Sequence, residues 1–470
     1  MPSSSALVDF SPGLVVSTIA ALETIVGAAN ISVGDSINED DTHDEALGAV
    51  PVRPMAVVRP ATTAEVAAVA KLANDARVPI TARGSGTGLS GAAIPRHGGL
   101  LVSFERMAAI LEVDTENHTA TVQPGVTLEQ LDALIAPMGL VYPVFPGENS
   151  ASLGGNVNTN AGGMRAVKYG VTRQHVLGLE AVLADGEVMR MGGKYVKSTT
   201  GYDLVQLVCG SEGTLALVCE VTIKLHPRLA HSATVLAPFA TLEEVTRAVP
   251  RVVDSGVAPM ILEYIDLLTM SVMTAAAGID LGVSEEIKAG ALAYLVVVIE
   301  SAHEDRLEAD AEALAIHLSE LGAMDVFVLP AAAATQIIES REKAFWLAKA
   351  NGANDIVDTV VPRAQIPEFM SKVAALATES SSWIAGCGHA GDGNVHLAVF
   401  QADDEVRARV MKGLFAAAME VGGAISGEHG LGSEKRSYFL ELEDPAKIDL
   451  MRRIKIAFDP NGILNPGAML

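Results

Sequence analysis

Residues 81–92 read TARGSGTGLSGA, and the reading of this stretch decides the fold of the 470-residue chain. Gly84, Gly86, Gly88 and Gly91 give a backbone that can adopt positive φ and let another group approach its amides closely. Gly86-x-Gly88-x-x-Gly91 matches the dinucleotide fingerprint literally, but that motif needs a strand before it and a helix after it. Val78-Pro-Ile-Thr-Ala82 predicts the strand. No helix can follow, because Pro95 and Gly98-Gly99 arrive at once and Leu100-Leu-Val-Ser-Phe104 reads as another strand. A Rossmann unit is therefore excluded. What remains is a loop whose successive N–H groups suit a phosphate, against the plainer reading of a glycine-rich surface turn.

Around this loop the pattern is α/β. Val57-Val58 is a short strand. Thr62-x-x-Glu65 is a capping box, followed by Val66, Val69, Ala70 and Ala73 at helical spacing. Upstream lie one helical pattern, over residues 12–28, and an acidic segment, 35–45, in which Glu39-Asp-Asp41 is expected as a solvated loop. Downstream, residues 110–113 and 119–123 predict a hairpin, Thr127-x-x-Gln130 caps a helix, and Asp185-Gly186 turns a second hairpin. The alternating Val221-Thr-Ile-Lys-Leu225 ends a domain near Pro227.

A second pattern starts at Thr234, with a capping box at Thr241-x-x-Glu244, a long apolar strand at 292–300, a helix at 305–321, a strand at 325–329 and a helix at 366–377. These predict an α+β domain with antiparallel strands and helices on one face. The expected domains are 1–53, 54–228, 229–420 and a C-terminal segment, 421–470.

Composition bounds the function. Apolar residues are 49% and charged residues 19%, as in a folded globular protein. The net charge of −24 opposes nucleic acid or an anionic membrane, so an anionic substrate needs local cations. No apolar run is long enough to span a bilayer and no secretory leader is expected. Cys209, Cys219 and Cys387 have no metal or disulfide spacing, which predicts reduced thiols and a cytoplasmic location.

Residues 146–170, PGENSASLGGNVNTNAGGMRAVKYG, show neither helical nor strand periodicity. Small residues bearing amides and hydroxyls, among them Ser152, Asn156 and Asn160 beside Gly155, Gly162 and Gly163, make a polar, close-approach surface. A loop this long inside a domain points to ligand binding. Residues 209–215, CGSEGTL, have the same character.

With RGSGTGLSG, PGENSASLGGNVNTNAGG, KSTTGYDL and GSEGTL in this order, the chain resembles the vanillyl-alcohol oxidase flavoprotein superfamily. Within it the likeness is to the branch of FAD-linked 2-hydroxy-acid dehydrogenases: glycolate oxidase D subunit, D-lactate dehydrogenase and D-2-hydroxyglutarate dehydrogenase. The resemblance implies an α+β fold, with a two-subdomain FAD-binding domain, an antiparallel substrate domain and a C-terminal segment returning to the flavin. It also implies FAD held by Arg83, Gly84, Ser85, Gly86, Thr87, Gly88 and Leu89, by Pro146, Ser152, Gly155, Asn156, Asn160, Gly162 and Gly163, and by Glu212, Gly213 and Asn465. Relatives with covalent flavin carry a His in the first loop. It has none here, so non-covalent FAD is expected.

Farther on, His389-Ala-Gly-Asp-Gly-Asn-Val-His396 sets two imidazoles around a tight turn, and Gly427-Glu-His-Gly430 adds a carboxylate. Two His and one acid can form a metal site with open positions, or they can be separate hydrogen-bonded loop residues. By the resemblance, His389, His396 and Glu428 hold a divalent metal, zinc favoured, with Asn394 beside it and His429 as the catalytic base. Hydride would pass from the substrate Cα to flavin N5 while metal and base handle the hydroxyl proton. Arg341 would clamp the substrate carboxylate; read without the resemblance, it is an exposed helix residue pairing with Glu339 or Glu342.

Two departures from the family pattern matter, the first for substrate and the second, at Ala468, for a contact near the flavin that is lost while Asn465 is still expected beside it. Dicarboxylate-specific relatives carry a Thr and a Lys where this chain has Phe345 and Ile356, and Ala468 stands where a Lys is usual. A second carboxylate would lie unpaired, so a monocarboxylate such as D-lactate or glycolate, or a longer apolar 2-hydroxy acid, is expected over D-2-hydroxyglutarate. The competing functions are a metal-dependent hydrolase or oxygenase, which leaves both glycine regions without a role, and a flavoprotein subunit of an electron-transfer assembly. The electron acceptor stays open, as does a homodimer.

Overall fold

The computed structural model describes residues 10–95 and 97–470, and three larger β-sheets organise them. In the first, Ala56–Val58, Leu100–Ser103 and Ile80–Arg83 lie parallel in that spatial order, with Ile31–Ser32 antiparallel at one edge. The helix Thr63–Ala76 starts where Thr62 Oγ1 accepts from the Glu65 amide, and buries Val66, Val69, Ala70 and Ala73 against the sheet. Leu22 and Val26 of the helix Pro12–Val26 enter the same core. No helix follows the glycine loop before Leu100, as the sequence requires. The far edge is completed from the C-terminus: the Ile80 amide donates to the Ile463 carbonyl, and Asn465 donates back to Ile80, each at 2.7 Å. That return fits the expected C-terminal segment.

The second sheet is five antiparallel strands, with Leu217–Lys224 between Thr119–Val122 and Val176–Val182. Between it and the cavity described below lies a departure from expectation. Residues 146–170 are not structureless, for Leu153–Thr159 is helical. Ser152 caps it by accepting from the Gly155 amide, and Leu153 and Val157 are fully buried. Seven residues are too few to show a period, and burial with one cap suffices.

The acidic segment is also not a solvated loop. Glu39–Thr42 forms a 3-10 turn with Asp41 and Thr42 buried. Asp41 has its counterion in Arg59, at 3.2 Å, which offsets the cost of removing it from water.

The third sheet is seven antiparallel strands. It carries helices on both faces, correcting the one-faced expectation. Leu242–Asp254, Glu304–Glu320, Ile366–Ser380 and Asp404–Glu420 cover one side; Leu267–Ala277 and Ala331–Glu342 cover the other. The signal was in Ala293–Ser301, whose alternate residues Leu295, Val297 and Ile299 and Tyr294 and Val296 are all apolar and all buried. A strand apolar on both sides needs two covering layers. No helix among the described residues is long and apolar enough to cross a membrane.

Candidate active site

The glycine loop leaves Ile80–Arg83 and curls over a cavity that it shares with the helix Leu153–Thr159 and with residues 212–213. Arg83 anchors the loop from beneath, donating through Nη1 to the His43 carbonyl at 2.6 Å. Gly86 has φ +77° and sits on this guanidinium, so a Cβ would overlap it and only glycine fits. Ser152 Oγ accepts from the Ser85 amide, while Ser85 Oγ donates to the Ser150 carbonyl at 2.6 Å. The two glycine regions are thereby stitched into one cradle. The amides of Gly86, Thr87, Gly88 and Leu89 find no protein acceptor among the described residues. Asn156 Nδ2, buried on the cavity wall, has none either. Unpaired donors along a glycine wall fit the phosphates and polar ring edge of FAD.

A second cavity of about 340 Å³ continues from the first, and the two share Leu89, Pro146, Gly147, Glu342, Phe345, Glu428 and His429. Its floor is built by a hairpin. Trp383–Gly388 turns through Ala390–Asp392 into Asn394–Phe400, bringing the His389 and His396 rings to 4.9 Å. Glu428 Oε1 lies 2.9 Å from His389 Nε2 and 3.2 Å from His396 Nε2. Donor atoms bound tetrahedrally at 2.0–2.2 Å stand roughly 3.3 Å apart, and the two distances from Glu428 are close to that. One donor atom each from Asp358, His396, Glu428 and His429 also lie within 4.8 Å of one another.

Charge supports the same reading. Glu263 and Asp358 are buried carboxylates and Glu428 is 11% exposed, and Arg341 and Lys435 are the cations in contact with them or beside them. The surplus is negative. Burial disfavours an imidazolium, yet Glu263 and Glu428 on either side overcome it and raise His389 to about 10. A proton on His389 and a divalent cation answer the same negative field. His429 goes the other way: burial lowers its pKa to about 4, against the pull of Asp358, leaving a neutral ring that can accept a proton.

Two acids missing from the sequence reading organise the centre. Glu263, wholly buried, stands 2.6 Å from His389 Nδ1 and 2.7 Å from Arg341 Nε. Asp358 Oδ2 accepts from the Ser426 hydroxyl and from the amides of Gly427, Glu428 and His429, moulding the loop that carries both functional side chains. Although burial opposes its ionisation, His429 and Lys435 hold its carboxyl well below the usual range. A usable signal existed: each acid interrupts an otherwise apolar or β-branched strand, ILEYID and DIVDTV. Asp44, buried on the wall of the first cavity and pushed up to about 6 by burial, was also missed.

Most residues expected from the sequence do line the cavities: Arg83 to Leu89, Pro146, Ser152, Gly155, Asn156, Gly162, Glu212 and Gly213 the first, and Gly163, Arg341, His389, His396, Glu428 and His429 the second, Glu428 and His429 both. Three stand behind the walls instead. Asn160 closes its helix in the left-handed conformation and accepts from the Arg173 amide. Asn465 donates to the carbonyls of Ala92 and Glu212, tying the two loops together. Asn394, expected beside the metal, has its Nδ2 on Asp358 and Thr359 and its Oδ1 on His396 Nε2, so it aims that ring rather than facing the cavity. Glu212 lines the cavity, but its carboxylate is occupied by the amides of Leu431 and Gly432. Arg341 is buried, against the exposed-helix reading, and its Nη2 has no hydrogen-bond partner within the cavity wall.

Comparison with known proteins agrees with this architecture. The profile of the FAD binding domain matches residues 54–192, and that of FAD linked oxidases, C-terminal domain, matches residues 228–469. An uncharacterised FAD-linked oxidoreductase of Mycobacterium tuberculosis strain H37Rv is 57% identical over 450 residues, 96% of this chain and 98% of that one. A D-lactate dehydrogenase of Anaerostipes hadrus is 37% identical over 94% of this chain and 95% of its own. Crystalline p-cresol methylhydroxylase superposes with a TM-score of 0.80 over 98% of both chains at 16% identity, a likeness of fold alone.

Proposed function

The chain belongs to the FAD-linked oxidases, and on that premise we propose that it oxidises a D-2-hydroxy monocarboxylic acid, of the kind of D-lactate or glycolate, to the 2-oxo acid. The observation that carries this reading is Arg341, which lines the cavity joining the cradle to the His–Glu cluster and whose buried Nη2 has no hydrogen-bond partner among the described residues. A guanidinium there favours a carboxylate strongly, since the alternative is an unsatisfied buried donor. FAD, bound non-covalently in the cradle, would supply the two-electron acceptor for the hydride of Cα. A divalent metal, zinc the favoured ion, would be held by His389, His396 and Glu428 and would supply Lewis acidity toward the hydroxyl oxygen. Arg341 orients the carboxylate, and a ring nitrogen of His429 receives the hydroxyl proton as the carbonyl forms. Asn394 and Glu263 aim the imidazoles. A cytoplasmic location belongs to the same reading, supported by three buried free cysteines.

The test is anaerobic bleaching of the bound flavin by a panel of 2-hydroxy acids. D-lactate or a congener should bleach it, chelation should slow the reaction, and His429→Ala should abolish it with FAD retained. A colourless protein, or a yellow one that no 2-hydroxy acid reduces, overturns the proposal.

A further inference from the structure

We infer that the second cavity is a binding site for a hydrocarbon tail, so that among 2-hydroxy acids one with an unbranched apolar side chain of about four or more carbons is preferred over D-lactate and glycolate. The inference rests on the 2-hydroxy-acid reading above and adds the identity of the side chain.

Beyond Arg341 and the His–Glu cluster the cavity wall is mostly apolar, with Thr269, Glu342 and Asn351 the polar exceptions, and Glu342 would repel a second carboxylate. Leu268, Val272 and Met273 come from the helix Leu267–Ala277, Phe345 and Leu347 from Ala344–Ala350, and Ile356 from the strand Asp355–Val360. Arg341 is the sole Lys or Arg among the described residues of that lining. It can pair one carboxylate, and a second one deeper in the cavity would be desolvated without compensation. The volume is about 340 Å³. That volume includes the end lined by Arg341 and the His–Glu cluster; a water-sized group takes roughly 30 Å³, so a methyl or a hydrogen on Cα would not fill the apolar end beyond it.

The mouth is apolar too. Leu268 and Trp383 line the cavity yet are 45% and 71% exposed. Large apolar side chains held at the rim of a cavity mark a surface that binds an apolar partner. A chain anchored by its carboxylate at Arg341 would fill the lining and emerge between these two residues.

The experiment measures kcat/KM for anaerobic flavin reduction in the holoenzyme with D-lactate, D-2-hydroxybutanoate, D-2-hydroxyhexanoate, D-2-hydroxyoctanoate and D-2-hydroxyglutarate. In parallel it measures binding of the non-reacting carboxylates acetate, hexanoate and octanoate by flavin difference spectroscopy. Each buried methylene should raise kcat/KM about fourfold up to the hexanoate, and D-2-hydroxyglutarate should be the poorest of the longer acids. The Val272→Trp variant, which narrows the cavity, should cut the hexanoate-to-lactate ratio at least tenfold. A flat series, or one led by D-lactate or D-2-hydroxyglutarate, overturns the tail site while leaving the 2-hydroxy-acid reading in place. Tighter binding of hexanoate than acetate with no bleaching by any acid supports the tail site and sinks that reading instead. Neither bleaching nor chain-length-dependent binding overturns both.

Discussion

Replacing Glu263 by Gln removes one charge at the point where the substrate arginine and a proposed metal ligand are held together. The carboxylate is fully buried and lies 2.7 Å from Arg341 Nε and 2.6 Å from His389 Nδ1. At an effective dielectric of 20, unit charges at that separation attract by about 6 kcal/mol, most of it offset by their desolvation. Breaking such a pair while its partner stays buried costs about 3–5 kcal/mol. Glutamine keeps the shape and one acceptor, so about 3 kcal/mol is expected in denaturant unfolding of the substrate domain. Glu263 also backs His389 in the manner of a carboxylate–histidine–metal triad, and losing such support lowers metal affinity about 10- to 100-fold. FAD content should not change, because Glu263 lines neither cavity. The assay is metal retention against graded chelator, with flavin absorbance and unfolding on the same samples. Metal affinity within threefold of the parent together with a stability change under about 1 kcal/mol would refute the role argued for this residue.

Three other perturbations test separate parts of the architecture. His175 is about 1% exposed, and burial, with help from His226, lowers its pKa from 6.5 to about 4. The folded state therefore prefers the neutral ring: its contribution is complete above pH 6.5 and is lost as pH falls toward 4, by about 3 kcal/mol, and His175→Gln should flatten the curve over that window. Parallel unfolding curves for the two proteins would exclude this. In Gly162→Ala the new Cβ would lie 2.6 Å from Glu428 Oε2, so FAD should still bind while flavin reduction slows at least tenfold; an unchanged reduction rate counts against Glu428 acting from this position. Glu212→Ala should strand the amides of Leu431 and Gly432 at about 1–3 kcal/mol each, lowering stability and reduction rate together.

The sequence by itself determined the cradle, because its determinants are local. A glycine loop with no room for a following helix excludes a Rossmann unit, and Ser152, Gly155 and Asn156 lie within a few residues of one another. His389 and His396 were legible for the same reason, since a tight turn joins them. Tertiary structure alone decided what was buried and what it touched. Without the family resemblance Arg341 read as a surface residue, because helix position says nothing of the strand beneath, where Glu263 lies. Asp41 read as solvated, and Asp44 went unread, because their partners Arg59 and Arg83 and the glycine loop are distant in sequence. Asn394 and Asn465 carry the right chemistry in the right motifs, yet their amides are consumed by carbonyls and carboxylates from other elements. Residue type states what a group can donate or accept. Only packing, which removes water and supplies particular partners, settles whether that capacity is left for a ligand or spent on holding the fold.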